Sequence, residues 1–435
     1  MEQDACKERR ERLMALIGEA VAIMPTAPVR NRNNDVDYLF RPASDFYYLT
    51  GFPEPEAVAV FIPGRSEGQY LLFCRENNAE REQWEGRRTG QEGAVAHYRA
   101  DQAFPIDRID EILPGLLENR PRIYYHLGRH PEFDGRVIGW MNEVRKKNRS
   151  GVRAPGGILD LDEPLHEMRL RKGPDEVALM RRAGILTAQA HVQAMRTCRP
   201  GLFEYELEAE LLHVFRKGGS AYPAYPPIVA GGANACILHY TENAAPLRDG
   251  SLVLIDAGCE IDCYASDITR TFPVGRRFTP GQRALYDIVL AAHDAALQQI
   301  APGREWPAAH DAAVRILTEG LRDLGLLKGA TDELIHTGAY RRFYMHRTGH
   351  WLGMDVHDVG EYRVGDGPRI LEAGMVTTVE PGLYVRAADD IPEAFHDVGI
   401  RIEDDVLVTD AGHEILSDAV PRSAADVEAL RAEAF

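Results

Sequence analysis

The sequence predicts an α/β protein of two domains, and three observations support this fold class. The chain has 435 residues, more than one average domain needs. Short β-branched runs alternate with helical patterns up to about residue 150. Beyond that point, an arrangement of helix, Pro-Gly and helix occurs twice, and strands accompany each copy. The class is therefore α/β, or α+β where strands and helices segregate, with a smaller first domain.

The first domain is predicted over residues 1–165. A helix is expected from residue 4 to an end near Gly18 to Ala22, and four strands follow in VAIMPT, DFYYLTGF, AVAVFIP and QYLLFC. His, Cys and acidic residues do not cluster there at ligand spacing, which assigns this domain to structure, assembly or substrate access. Trp84 lies in a charge-dense stretch, so both packing within its own domain and a place at an interface stay open.

The second domain is predicted over residues 166–435 and contains two helix pairs. Pro174 begins the first pair, and Pro200 separates its two helices. Pro280 and Pro302 hold the matching positions in the second pair. This layout predicts two related α/β halves around one cleft.

Composition excludes several partners. A formal net charge of −17 argues against nucleic acid or an anionic membrane, because both are bound largely through Lys and Arg. The N-terminus lacks the apolar core of a signal peptide, and no run of about 18 apolar residues predicts a membrane helix. A cytoplasmic protein with six reduced cysteines is expected.

The stretch from Leu252 to Phe272 is predicted to form a hairpin that places one aspartate in each buried run, Asp256 and Asp267. A buried carboxylate costs several kcal/mol unless a cation or a donor compensates it, and two such groups repel each other. A bound metal would compensate both. For either residue alone, a bond to a turn or to an arginine is the alternative.

Two further acids lie in apolar surroundings near the C-terminus. Glu380 ends the run MVTTV just before a Pro-Gly turn, and Glu403 lies inside the predicted buried strand IRIEDDVLV. The neighbouring Asp404 and Asp405 are expected to face solvent. Four buried acids therefore remain for a metal site.

One histidine completes this set. His346 and His350 have the spacing of a zinc helix, but Arg347 replaces the catalytic glutamate and the nearby glycines oppose a helix. His350 is expected to be the one nitrogen ligand. Four carboxylates and one imidazole suit Mn, Co, Fe or Zn, and their charge of −4 indicates two divalent ions that ionise a bridging water. Cys259 and Cys263 could form a thiolate pair, but a turn with free thiols fits better because no second pair accompanies them.

At this point the motifs DAG, SDITRTF, GHWLGMDVHD, TVEPGLY and GIRIEDD, in this order, closely resemble those of the pita-bread metallopeptidases, above all the aminopeptidase P group. SDFYYLTGFPEPEA is similar to the N-terminal domain of the same enzymes. The resemblance covers nearly the whole chain. It implies a pita-bread catalytic domain with pseudo-twofold halves after a smaller creatinase-like α/β domain.

The resemblance also implies a ligand set for two metal ions, usually manganese, with cobalt or zinc as alternatives. The five implied ligands are Asp256, Asp267, His350, Glu380 and Glu403. In this family Asp267 and Glu403 would bridge the ions, and Glu380 would shuttle a proton from the bridging water.

Other roles are implied by position in the same motifs. His239 and His357 would contact the scissile carbonyl, and His346 would face the proline side. Tyr384 and Arg401 would contact the ligands and orient them without binding the metal themselves.

The implied activity is hydrolysis of the bond between an N-terminal residue and proline by a metal-bridged hydroxide. The implied partners are peptides with proline in second position and further copies of the chain, in a dimer or tetramer where Trp84 reaches a neighbouring subunit's site. Prolidase shares fold and ligands but takes only dipeptides, and it stays an alternative. A non-catalytic pita-bread binding module is the alternative from another class.

Overall fold

The computed structural model describes residues 2–434, and the chain divides into two compact units, residues 1–168 and 169–435. Within the described residues, no helix combines the length and apolar character that crossing a membrane requires. The unit containing residues 169–435 carries all five expected metal ligands, so the fold of that unit positions the site.

A six-stranded mixed sheet forms the centre of the first unit, with strand order β6-β5-β4-β1-β7-β8 and a separate small hairpin, β2–β3. The strands are β1 (Val21–Pro25), β2 (Asn31–Asn33), β3 (Val36–Asp37), β4 (Val58–Phe61), β5 (Tyr70–Cys74), β6 (Gln102–Pro105), β7 (Ile123–Tyr124) and β8 (Ile158–Leu159). The helices are α1 (Gln3–Ile17), α2 (Ser44–Thr50), α3 (Ala79–Glu85), α4 (Gly90–Tyr98), α5 (Ile109–Leu116) and α6 (Pro131–Lys146). A further helix, α7 (Asp162–Leu170), crosses the boundary between the units.

One expectation for this unit is wrong. The DFYYLTGF segment is helix α2, not a strand, because its aromatic residues bury on a helix of seven residues that Gly51 ends with φ of 62°. Strand propensity reflects how a side chain packs, and here tertiary burial overrides it. Helix α1 ends at Ile17, beside the first residue of the predicted range, because Gly18 turns the chain and Val21 joins the sheet.

The first helix of each predicted pair in the second unit begins at its predicted proline. The helices of this unit are α8 (Pro174–Thr197), α9 (Glu204–Lys217), α10 (Pro280–Leu297), α11 (Ala308–Asp323), α12 (Thr331–His336) and α13 (Ala424–Ala432). Pro174 and Pro280 are first helical residues, and the Thr279 side chain caps α10 by accepting from the Gln282 backbone N–H. Helices α8 and α9 pack together, as do α10 and α11.

Short antiparallel sheets carry the site. Their strands are β9 (Ile228–Gly231), β10 (Leu252–Ala257), β11 (Glu260–Ile261), β12 (Tyr264–Ala265), β13 (Ile268–Pro273), β14 (Arg363–Val364), β15 (Gly367–Pro368), β16 (Val376–Val379), β17 (Gly382–Val385), β18 (Val398–Arg401), β19 (Asp404–Thr409) and β20 (Gly412–Ile415). Strand β10 lies between β13 and β9, β19 lies between β16 and β20, and β17 pairs with β18. The predicted hairpin is confirmed: β10 and β13 are antiparallel, and the small β11–β12 hairpin lies in their connection.

Candidate metal centre

Strand ends bring the five expected ligands to one cavity. Asp256 lies in β10, Asp267 directly precedes β13, and Glu403 lies between β18 and β19 rather than inside one strand. Glu380 follows β16 at the turn into β17. Together with His350, all of them line a cavity of about 730 Å³. Asp267, His350 and Glu403 each offer one ligand atom, and these atoms lie within 4.8 Å of one another.

The ring of His350 is fixed in a ligand orientation. Its Nδ1 lies 2.9 Å from the Trp351 carbonyl oxygen, which can only accept, so Nδ1 carries the proton. The free Nε2 lies 3.4 Å from Asp267 Oδ2 and 3.6 Å from Glu380 Oε1. A histidine that bonds a carbonyl through one nitrogen and presents the other to carboxylates is typical of metal sites.

Hydroxyl groups orient two of the carboxylates. Thr269 donates to Glu403 Oε2 over 2.6 Å, and Thr378 donates to Glu380 Oε1 over 3.3 Å. Both donors lie on strands beside the ligands. Because hydroxyls are neutral, they hold the carboxylates in place without removing their charge.

Arg401 forms an ion pair with one of the expected ligands, Asp256. Its Nη2 lies 2.5 Å from Asp256 Oδ2, its Nη1 donates to the Tyr384 hydroxyl over 2.9 Å, and its Nε donates to Thr269 over 3.1 Å. The arginine therefore neutralises Asp256 and orients Tyr384. Asp267, Glu380 and Glu403 have no ion pair with an arginine among residues 2–434.

Tyr225 is a site residue that sequence reasoning missed. Its hydroxyl donates to Asp256 Oδ1 over 2.6 Å and also contacts Asp267 Oδ1. Burial raises the pKa of Tyr225 well above its usual value, and the two carboxylates add to this, so the phenol stays a donor. A tyrosine in the segment SAYPAYPP before β9 carries no motif, and only its nearness to strand β9 hinted at the site.

The expectation that Asp404 and Asp405 face solvent is wrong, since their exposures are 0% and 1%. Asp404 Oδ1 lies 2.7 Å from Arg270 Nη2, and Asp404 Oδ2 lies 3.2 Å from His293 Nε2. Asp405 accepts the backbone N–H of Asp267 over 3.0 Å. Strand alternation predicts that adjacent residues face opposite sides, but here both sides of β19 are covered by protein.

The protonation behaviour of the cavity shows an excess of buried negative charge. Burial raises the pKa of Asp256, raises that of Glu380 to about 7 and raises that of Glu403 well above its usual range. Burial also opposes ionisation of Asp267, but the facing His350 lowers its pKa. The same carboxylates outweigh the burial of His350 and raise its pKa to about 9. A pocket that must otherwise take up protons fits divalent cations, so this donor set suits a metal centre.

The other three expected histidines also line this cavity. His239 and His357 lie on its wall, and the His357 ring packs edge-on against His350 with centroids 4.4 Å apart. His346 Nε2 lies 2.8 Å from the Tyr384 hydroxyl, and burial lowers the His346 pKa to about 3. The segment from His346 to His350 is not helical, which agrees with rejecting a zinc helix.

An apolar wall faces the polar ligands. Trp306 and Tyr362 line this wall and pack against the buried Trp351, with centroid distances of 4.2 to 5.3 Å among the three rings. His310 on α11 also lines the cavity and lies 2.9 Å from Thr348 Oγ1, and burial lowers its pKa to about 4. The sequence marked α11 only as a packing helix, and no motif distinguished His310 within it.

Trp84 lies on α3 in the first unit, and 86% of its surface is exposed. Packing inside its own domain is therefore excluded. The structure places none of the other expected site residues in this unit, so the Trp84 role at a neighbouring subunit stays a prediction.

Fold and site together define a metal-dependent hydrolase with a buried carboxylate and histidine centre. Two family descriptions match the chain: "Metallopeptidase family M24" over residues 178–410 and "Aminopeptidase P, N-terminal domain" over residues 6–124. The chain belongs to the M24 metallopeptidases that carry an aminopeptidase P N-terminal domain, which confirms the family and the fold expected from its motifs.

Relatives with a full-length match support this placement. The Xaa-Pro aminopeptidase of Escherichia coli strain K12 is 45% identical over 435 residues, covering 99% of this chain and 98% of the relative. The solved structure of Pseudomonas aeruginosa aminopeptidase PepP has 56% identity and a TM-score of 0.99, covering 100% of this chain and 99% of that one. A zinc-substituted Escherichia coli aminopeptidase P in complex with product has 45% identity and a TM-score of 0.97, again covering 100% and 99%.

Proposed function

We propose that the cavity performs metal-dependent hydrolysis of the N-terminal Xaa-Pro peptide bond with two divalent ions, most often manganese. The carrying observation is the convergence of five buried or half-buried ligands on one cavity, where Asp267, Glu380 and Glu403 form no ion pair with an arginine among residues 2–434. The ligands would be Asp256, Asp267, His350, Glu380 and Glu403. When bound, the ions supply Lewis acidity and lower the pKa of water.

Glu380 is the residue suited to move the proton. In the metal-free cavity, burial raises its pKa to about 7. A carboxylate at this position can accept a proton from water and return it to the leaving group. Thr378 orients one of its oxygens. The leaving group of an Xaa-Pro bond is a secondary amine, which must gain that proton as the bond breaks.

The histidines on the cavity wall would recognise the bond. Burial lowers the pKa of His357, so its imidazole is neutral and has one N–H to donate to the scissile carbonyl, and His239 would donate beside it. His346, held by Tyr384, would contact the proline side. An Xaa-Pro bond has no N–H, so recognition must come from carbonyl, ring and terminal amine rather than from a backbone ladder.

The experiment uses purified chain, a chelator and two substrates. Chelation should abolish cleavage of Arg-Pro-Pro, and Mn²⁺ should restore it. Asp267→Asn should lower activity by about 100-fold or more because one proposed ligand is lost. Asp287→Asn on the exposed face of α10 is the matched control and should match wild type. Full activity of Asp267→Asn would contradict the mechanism, and cleavage of Arg-Pro without Arg-Pro-Pro would indicate a prolidase.

We also propose that copies of the chain assemble and that Trp84 contributes to the contact. Its support is the exposure of an indole, 86%, on a charged helix. Sedimentation velocity should show a dimer or tetramer, and Trp84→Ala should raise KM for peptides; an active monomer would contradict this. The cytoplasmic location stays a prediction that the low cysteine content of the chain supports.

A further inference from the structure

Two aspartates, two histidines and an arginine meet in the first unit, away from the residues discussed so far. They are Asp45, His126, Arg129, Asp162 and His166. Asp45 lies in α2, His126 and Arg129 follow β7, and Asp162 and His166 lie on α7. Asp162 and His166 are four residues apart, so they share one helix face. The expectation that His, Cys and acidic residues do not cluster in this domain is therefore wrong.

The distances in this cluster are those of atoms around one ion. His166 Nε2 lies 3.4 Å from Asp162 Oδ1 and 3.5 Å from Asp45 Oδ2. Two ligands each about 2.1 Å from a tetrahedral metal are roughly 3.4 Å apart. In the metal centre, His350 Nε2 has nearly the same separations from its carboxylates, 3.4 and 3.6 Å. One ligand atom from each of Asp45, Asp162 and His166 lies within 4.8 Å of the others.

His126 supplies a second and independent observation. It is 6% exposed, and its Nδ1 lies 2.5 Å from Asp162 Oδ1, so Nδ1 carries a proton. Its Nε2 has no hydrogen-bond partner among residues 2–434, although it lies 3.7 Å from Asp45 Oδ2. The same holds for His166 Nε2 within these residues. A neutral ring with its proton on Nδ1 turns the lone pair of Nε2 toward the Asp45 carboxylate. That contact is repulsive unless a cation lies between the two atoms.

Charge and access agree with a cation. Two carboxylates and the Arg129 guanidinium leave a net charge of −1 when both imidazoles are neutral. Arg129 donates to Asp45 Oδ2 over 3.1 Å and to Asp162 Oδ2 over 2.6 Å, which holds both carboxylates in position. The Arg129 and Asp162 side chains are 43% and 31% exposed, so an ion can enter from solvent.

We propose that Asp45, His126, Asp162 and His166 bind one divalent cation of the zinc and cobalt class, separate from the catalytic centre. Two imidazoles and two carboxylates form a mixed nitrogen and oxygen set that these metals prefer over Ca²⁺ or Mg²⁺. The ion ties α2 to α7, which are far apart in sequence, and so stabilises the first unit. A protonated imidazole in place of the ion is the competing explanation.

The first test counts ions on the full-length chain. In a background of Asp267→Asn, His350→Asn and Glu403→Gln, which removes catalytic ligands, metal analysis after gel filtration from ZnCl₂ should find one retained equivalent. Adding His166→Asn should weaken Zn²⁺ binding at least tenfold, as loss of a ligand does. Adding His97→Asn, which removes an exposed histidine of the same unit, should leave it unchanged. No retained zinc in the background, or equal binding by both histidine variants, would overturn the proposal.

A second test does not depend on how the variants fold. Wild-type crystals soaked in ZnCl₂ are measured above and below the zinc absorption edge. An anomalous peak is expected within about 2.3 Å of the Asp45, Asp162 and His166 ligand atoms. A peak at the catalytic centre without one at this cluster would refute the site and leave the protonated imidazole as the explanation.

Discussion

Replacing Asp358 by asparagine tests the buried ion cluster behind the segment that carries His357. Asp358 Oδ1 lies 2.5 Å from Arg169 Nη2, and its Oδ2 lies 2.9 Å from Lys172 Nζ. The Lys172 and Asp358 side chains are each only 1% exposed. The Asp358 backbone N–H also donates to the Trp351 carbonyl over 2.9 Å, which closes the loop between them. Asparagine keeps the shape of the side chain and removes its charge.

The expected cost follows from what stays behind. Arg169 keeps Asp355, 2.9 Å away, but the Lys172 ammonium loses its carboxylate partner in a buried position. Breaking a buried pair from one side costs about 3–5 kcal/mol in the free energy of unfolding. For a unit of this size, that lowers Tm by roughly 6–20 °C.

Thermal unfolding of the metal-loaded protein measures this cost. Asp287→Asn is the matched control, because Asp287 and Arg283 form an exposed pair four residues apart on α10 that is worth about 0.3–0.5 kcal/mol. Adding Lys172→Met to Asp358→Asn should recover part of the loss, since it removes the uncompensated ammonium. An Asp358→Asn protein as stable as the Asp287→Asn control, or one that Lys172→Met destabilises further, would refute the reasoning.

The same cluster predicts a pH dependence. Burial opposes ionisation of Asp358, but Lys172 and Arg169 outweigh it and hold its pKa below the usual value. A lowered folded pKa gives stability that is full above the unfolded pKa of about 3.9 and is lost as pH falls through the folded value. The Tm difference between wild type and Asp358→Asn should therefore be constant from pH 7 to 5 and shrink in stronger acid. A difference that grows on acidification would contradict this sign.

Two further predictions concern the metal centre. Tyr225→Phe removes the hydroxyl that donates to Asp256 and contacts Asp267, and it should weaken metal binding about 10- to 100-fold in a metal titration. The control Tyr286→Phe loses a hydroxyl that donates to a carbonyl elsewhere, and it should leave metal binding unchanged. Equal affinities of the two variants would contradict the role of Tyr225. Gly349→Ala would place a Cβ 2.1 Å from the Thr378 carbonyl oxygen, and it should lower kcat/KM roughly 100-fold by displacing the adjacent His350. The control Gly139→Ala, where no atom lies within 4 Å of the new Cβ, should leave kcat/KM unchanged. Unchanged kinetics of Gly349→Ala would contradict this prediction, because the backbone would then accommodate the methyl group without moving His350.

Sequence patterns predicted the catalytic unit best where local signals were strong. Pro174 and Pro280 begin helices as first-turn prolines must, and the β-branched runs around Asp256 pair as a hairpin. Convergence of the five ligands could be anticipated because buried acids need compensation and because the motifs occur in family order. Local sequence patterns therefore predicted the helix starts and the hairpin, and the buried acids together with the order of the motifs predicted the ligand set.

Prediction failed where distant contacts decide. Nothing local shows that the Tyr225 hydroxyl contacts two carboxylates, or that a protein layer covers both faces of β19 and buries Asp404 and Asp405. The α2 segment resembles a strand because its aromatic residues favour strands, yet they pack as a helical turn. The Asp45 cluster joins three separate parts of the chain, so its spacing cannot be read from the sequence.

Partners distinguish two of the proposed metal ligands from buried acids that maintain structure. Asp404 is neutralised by Arg270 and Asp358 by Lys172 and Arg169, and each has its pKa lowered. Glu380 and Glu403 instead have raised pKa values, accept hydrogen bonds from hydroxyls and form no ion pair with an arginine or lysine among residues 2–434. Burying such charges costs several kcal/mol each, and a fold that keeps them needs a cation from outside. The Asp45 cluster differs from an ordinary ion pair in the same way, because one arginine, Arg129, faces two carboxylates. The metal content of the purified protein is therefore the measurement that tests both proposed sites.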